Sequence, residues 1–156
     1  MNYLLSRLSF LIISFLLFSS VSVSAQSAED NYPKLETLFN KAQGQIFGSA
    51  YSKKKIGKQT FTSTSASLNE DAAAKGEESY LINYTEVSWQ GMTYYFEPVE
   101  GNDNLYGVTI KLKRAAQLKR TVVSTAYGYE NISPSVNLYF QKADSDQVRT
   151  LLDAIK

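Results

Sequence analysis

Between residues 60 and 142 the chain repeats one pattern: short runs of alternating apolar and polar residues, rich in Tyr, Phe, Val and Thr, each closed by Gly, Asn, Asp or Pro. Successive side chains of a strand point to opposite faces, so runs of this kind fold as β-strands with one buried and one wet face. Residues 105–114 are the clearest case, with Tyr106, Val108, Ile110 and Leu112 on one side and Gly107, Thr109, Lys111 and Lys113 on the other. Residues 79–98 predict a hairpin turning at Gln90-Gly91, where glycine is free to take positive φ. Its first arm is apolar on both sides, which calls for strong curvature, a barrel or a partner. Further strands are expected at 60–68, at 121–130 and at 135–142, with turns at 100–104 and 131–134 and an acidic loop at 69–78.

Helical spacing appears only at the two ends of this region. Leu35, Leu38, Phe39, Ala42 and Ile46 form one stripe and predict a helix over 33–47, preceded by Asp30 and Asn31 as capping residues. A basic segment, 51–58, reads as a linker. Val148, Leu151, Leu152 and Ile155 fall at i, i+3, i+4 and i+7 and predict a helix over 144–156, with Asp144 and Gln147 spaced as a capping box. The order defines an α+β fold: an antiparallel β-meander of five or six strands flanked by an N-terminal and a C-terminal amphipathic helix. A small β-barrel with terminal helices is the alternative.

Residues 1–25 read as a signal peptide. A short region carrying Arg7 is followed by an apolar run at 8–18 and by small residues ending Val23-Ser24-Ala25, a cleavage pattern. The apolar run is about half the ~20 residues that a membrane-spanning helix needs. Removal of these 25 residues from 156 leaves a single expected domain at 26–156, 131 residues long, soluble in the periplasm or outside the cell. It also removes one of sixteen basic residues, so the mature chain carries fifteen against fifteen acidic ones. A neutral chain is ill suited to nucleic acid. The chain has neither cysteine nor histidine. Disulfides, the usual zinc sites and imidazole-based triads are thereby excluded, and no cofactor is implied.

Tyrosine is the most unusual component, with eleven in the chain and ten beyond residue 25. Tyr and Trp offer large apolar area, a polar tip and little rotamer entropy to lose, which suits sugars, peptides and protein partners. Strand chemistry enriches the same residues. The candidate binding surface is Trp89, Tyr94, Tyr95, Tyr127 and Tyr129, with Lys111 and Lys113 as polar neighbours. The expected function is an exported, non-catalytic binding module for a small apolar or glycan ligand or a partner protein. A second reading, from a different class, is a structural or interaction protein of the cell envelope that forms a homodimer by sheet pairing. A third is a small hydrolase working with Glu86, Glu97, Glu100 or Asp103.

Overall fold

The computed structural model describes residues 28–156, so the signal segment expected at 1–25 lies outside the described residues. Helix α1 (Asn31–Asn40) buries Leu35, Leu38 and Phe39 as its spacing requires. It ends earlier than the stripe predicts. Gly44 takes φ +85° and turns the chain into strand β1 (Ile46–Gly48), so Ile46 leaves the helix face and pairs with Lys55. Strand β2 (Lys53–Phe61) occupies the segment expected as a linker. Lys53 and Lys55 point outward and Lys54 is half-buried on the side of buried Ile56, and a bulge between Ile56 and Gln59 resets the alternation so that Gln59 and Phe61 are also buried. Gly57 sits in that bulge, where a Cβ would lie 2.6 Å from Asn69 Cβ, so a larger residue would not fit.

Strands β3 (Ala66–Ala72), β4 (Tyr80–Thr85), β5 (Thr93–Val99), β6 (Asn102–Val122) and β7 (Gly128–Gln141) follow, and the chain closes with helix α2 (Ser145–Asp153). The sheet therefore has seven antiparallel strands where the sequence predicts five or six, in the order β1-β2-β3-β4-β6-β5, with β7 on the other edge of β6. Strand β6 is 21 residues long and organises the rest. One edge carries β7 along most of its length; the other carries β5 beside residues 102–111 and β4 beside residues 117–122.

Several local expectations are corrected by this topology. The strand expected at 60–68 is broken by a turn at 62–65, and β3 runs on to Ala72, into the segment expected as an acidic loop. The segment 79–98 is not a hairpin: β4 and β5 each pair with β6 and not with each other. The stretch between them plugs one end of the core with Val87, Trp89 and Met92, and Glu86 takes φ 56° to send it inward. The turn expected at 131–134 lies inside β7, where Pro134 falls at a register break and has no N–H to lose. The real reversal is at residues 123–127, within the segment expected as a strand.

The barrel alternative is also corrected, because the sheet is not closed: no backbone ladder joins β2 to β7. The sheet nonetheless curls until these strands face each other, and side chains bridge the seam. The Gln59 amide, fully buried, donates from Nε2 to the Phe39 carbonyl (2.8 Å) and the Tyr139 carbonyl (2.9 Å), and its Oε1 accepts from the Tyr139 N–H (2.8 Å). It takes the place of a peptide group in the missing ladder. On the β2 side, Asn40 pairs with the backbone of Gln59 through both amide atoms, at 2.7 and 2.9 Å, and Glu36 accepts from the Phe61 N–H at 3.0 Å. Helix α1 thus satisfies the open edge of β2 with two residues one turn apart, which is what buried backbone groups require.

Helix α2 buries Val148 and Leu152, and Ile155 just beyond it is buried too. Each such side chain contributes about 2 kcal/mol. The expected capping box does not form. The Asp144 carboxylate instead reaches across to Lys41 Nζ at 2.8 Å and ties the start of α2 to the end of α1. Among the described residues no helix is long and apolar enough to cross a membrane.

Candidate functional site

The pairing registers place the wet face of the β5-β6-β7 region in three rows: Thr93–Lys111–Ser135, Tyr95–Thr109–Asn137 and Glu97–Gly107–Tyr139. This is the face that alternation along residues 105–114 assigns to solvent. Strand β1 folds over its far end, held by the Gly48 N–H donating to the Glu100 carbonyl at 2.8 Å. The turn that receives it needs glycine: Gly101 has φ +77°, and a Cβ there would come within 2.3 Å of the Gly48 carbonyl oxygen.

A cleft of about 330 Å³ opens between β1 and the sheet. One wall is aromatic, with the Phe47 and Tyr139 rings 4.7 Å apart at an angle of 40°. The floor is Gly107, where a Cβ would meet Val99 and the Tyr139 ring at ordinary contact distances of 3.8 and 3.9 Å. Glu97 and Glu100 line the opposite side, and Thr109 Oγ1 donates to Asn137 Oδ1 at 2.9 Å. An aromatic wall, an open floor and a few convergent polar groups are the ordinary composition of a small-ligand site.

The face continues past the cleft into a half-buried polar cluster. Burial raises the Tyr139 phenol, with Glu70 and Tyr84 adding to the rise. Burial likewise raises the Tyr84 phenol, and hydrogen bonds from Asn137 oppose part of that rise. The Arg120 guanidinium lies 4.0 Å from the Tyr80 ring centroid and 3.8 Å from a Glu70 oxygen. Burial pushes the Glu70 carboxyl above the ordinary glutamate value, while Arg120 and then Lys54 pull it back. A carboxyl raised in the folded state opposes folding when ionised, so this cost is present at high pH and vanishes as pH falls below the unfolded value. Arg120→Gln removes the larger of the two opposing charges. A carbon-13 carboxyl titration of that variant is expected to show the Glu70 midpoint higher than in the parent chain; an unchanged midpoint would mean that the pair is uncoupled.

The candidate residues read from sequence are distributed over four places. Tyr95 and Lys111 lie on the wet face, with the Lys111 amine 5.2 Å from the Tyr95 ring centroid. Tyr94 is on the opposite side of β5, where its hydroxyl donates to Asp153 Oδ1 at 2.8 Å. Burial, followed by the Asp153 hydrogen bond and charge, pushes the Tyr94 phenol up to about 12. Lys113 lies against Gly91, beside Tyr94. Tyr127 and Tyr129 are exposed at the β6–β7 reversal, away from the cleft. Trp89 is 2% exposed, with its Nε1 donating to the Thr62 carbonyl at 2.8 Å.

Sequence reasoning missed Phe47, because β1 was read as helix and loop, and missed Tyr139 and Asn137 as site residues. The alternation along β7, with Val136, Leu138 and Phe140 inward, already placed Asn137 and Tyr139 on the wet side. The fold and the cleft together define an α+β protein with a curled, open antiparallel sheet and a small site on its polar face. No family model, no curated protein and no solved structure matches this chain.

Proposed function

We propose that the protein is an exported, non-catalytic binding module that holds a small glycan in the cleft between β1 and the polar face of the sheet. The observation that supports this reading is the pairing of one aromatic wall, Phe47 and Tyr139, with carboxylate and amide groups at Glu97, Glu100 and Asn137. A pyranose offers an apolar face for stacking and a rim of hydroxyls that donate to carboxylates and amides. A cleft of about 330 Å³ suits one or two sugar rings. Export is supported by the pattern of residues 1–25.

The test is saturation-transfer NMR against a panel of neutral mono- and disaccharides, run on the parent chain and on Gly107→Val. The valine Cβ sits at ordinary contact distance from Val99 and the Tyr139 ring and its two methyl groups take up space on the floor, and a urea titration of the variant, expected within about 2 kcal/mol of the parent, checks that the fold is kept. Binding is expected to weaken at least tenfold, about 1.4 kcal/mol. Silence across the panel, or binding untouched by the valine, would sink the proposal.

A second reading, an envelope interaction protein, has its own observation. Val123, Tyr127 and Ile132 are 59%, 73% and 62% exposed near the β6–β7 reversal, a large apolar content for so small a tip. Sheet pairing along β7 is disfavoured by local chemistry, however. Ser133 Oγ donates to the Ser135 carbonyl, the Ser135 N–H turns back to Ser133 Oγ, Pro134 has no N–H, and Gln59 occupies Tyr139. These are the devices by which an edge strand resists addition of another chain.

A further inference from the structure

We propose a second site, separate from the cleft and at the other end of β5, that takes an oxyanion: a phosphate group, free or as a lipid headgroup. A hollow of about 800 Å³ lies between residues 90–94, Lys113 and the C-terminal part of α2. Three cations border it, Lys113, Arg149 and Lys156, against a single carboxylate, Asp153. That carboxylate is already engaged. It accepts from Lys156 Nζ at 2.7 Å and from the Tyr94 hydroxyl at 2.8 Å, contacts that also hold its titration below the ordinary aspartate range. Lys156 is therefore neutralised within the wall, and Lys113 and Arg149 are not.

Neither Lys113 nor Arg149 has a carboxylate within 4.0 Å among the described residues. Arg149 is held by a contact that leaves its donors available, and Lys113 is exposed at the rim. The Arg149 guanidinium sits 5.1 Å from the Phe96 ring centroid. An arginine resting on an aromatic ring keeps its N–H groups free for bidentate recognition of an oxyanion. The Lys113 amine reaches over Gly91 (φ +66°), 2.5 Å from the position a Cβ there would take, so the glycine leaves the exposed lysine room at the rim of the hollow. Gln90 and Thr93 add neutral hydrogen-bonding groups to the rim. A fork and a point charge bordering one hollow, with the local side-chain carboxylate already satisfied, is a donor set for a tetrahedral or planar oxyanion.

The experiment is a nitrogen-15 NMR titration of the protein with sodium phosphate at ionic strength held constant with sodium chloride. A parallel arm measures co-sedimentation with phosphatidylglycerol vesicles, with phosphatidylcholine vesicles as reference. Saturable shifts confined to Gly91, Thr93, Tyr94 and α2, weakened about fivefold or more in both Lys113→Gln and Arg149→Gln, support the site as one for free phosphate. Sedimentation with phosphatidylglycerol alone, lost in the same variants, supports it as a headgroup site. Lys113 is exposed and outside the core, so its variant reports on binding even if Arg149→Gln loosens α2. Shifts that never saturate together with no preference for phosphatidylglycerol vesicles, or binding equal in parent and both variants in either arm, would overturn the proposal. Sugar binding at the cleft stands or falls independently, since Gly107→Val leaves this hollow untouched.

Discussion

Gln59→Leu is expected to lower the unfolding free energy by about 4 kcal/mol, the sum of two backbone groups left without partners at about 1–3 kcal/mol each. The leucine fills the volume but leaves the N–H and carbonyl of Tyr139 without the amide that reaches them at 2.8 and 2.9 Å, while the Phe39 carbonyl loses one donor and keeps the Ala42 N–H at 3.1 Å. Against a typical total of 5–15 kcal/mol this is a large fraction. With a urea m-value near 2 kcal/mol/M, the midpoint should fall by about 2 M. Asn40→Ala should cost less, about 2 kcal/mol, because it frees one N–H and one carbonyl that lie nearer to solvent. A loss under about 1 kcal/mol for Gln59→Leu would show that water replaces the amide at the seam and that the curl is held by the core alone.

The consequence reaches the cleft. Tyr139 takes its backbone position from Gln59 and gives its ring to Phe47, so the seam and the aromatic wall share one residue. Variants at Gln59 should therefore weaken sugar binding more than their loss of stability predicts, whereas variants in α2 should not. Double-mutant cycles between Gln59→Leu and Phe47→Ala measure that coupling directly.

The parts of this fold that were legible in the sequence are those where one period decides the matter. The stripes at Leu35, Leu38 and Phe39 and at Val148 and Leu152 gave both helices, and alternation from Tyr106 to Lys113 gave the first half of the long strand and its wet face, though not its length. What stayed hidden depends on partners distant in sequence. Alternation within 79–98 says that both arms are strands and nothing about whether they pair; β6 is long enough to take both. The lysines of residues 53–58 imitate a linker because strand lysines and linker lysines have the same composition. The seam left a trace that a pattern of apolar residues alone misses. Glu36 and Asn40 stand at i and i+4 beside the buried stripe of α1, an arrangement suited to capping an open strand edge. Of the residues named from sequence, Glu97 and Glu100 line the cleft and Tyr95 and Lys111 share its face without lining it, while Phe47 was not legible, since its place depends on β1 reaching the turn at Gly101.

Trp89→Ala is expected to cost about 4 kcal/mol, in the range for truncating a buried tryptophan. The ring is stacked on Phe61 at 4.4 Å, and Phe61 meets Phe39 edge-on at 5.4 Å, so the side chain closes one end of the core between the sheet and α1. Trp89→Phe should keep the stack and lose only the Nε1 donor to the Thr62 carbonyl, about 1–2 kcal/mol. Tyr95→Ala, by contrast, removes a ring that is 41% exposed and in contact with one lysine amine, and should change stability by less than about 1 kcal/mol. The pair divides the aromatic enrichment by its physical cause. Strand and core chemistry accounts for rings whose removal unfolds the chain, and only rings whose removal leaves the fold intact are free to serve a ligand. Urea titration of both variants, followed by the saccharide panel at a temperature where each is folded, makes the division. If Trp89→Ala stayed within 1 kcal/mol of the parent, the end of the core would have to be closed by Val87 and Met92 alone, and Trp89 would return to the candidates for the site.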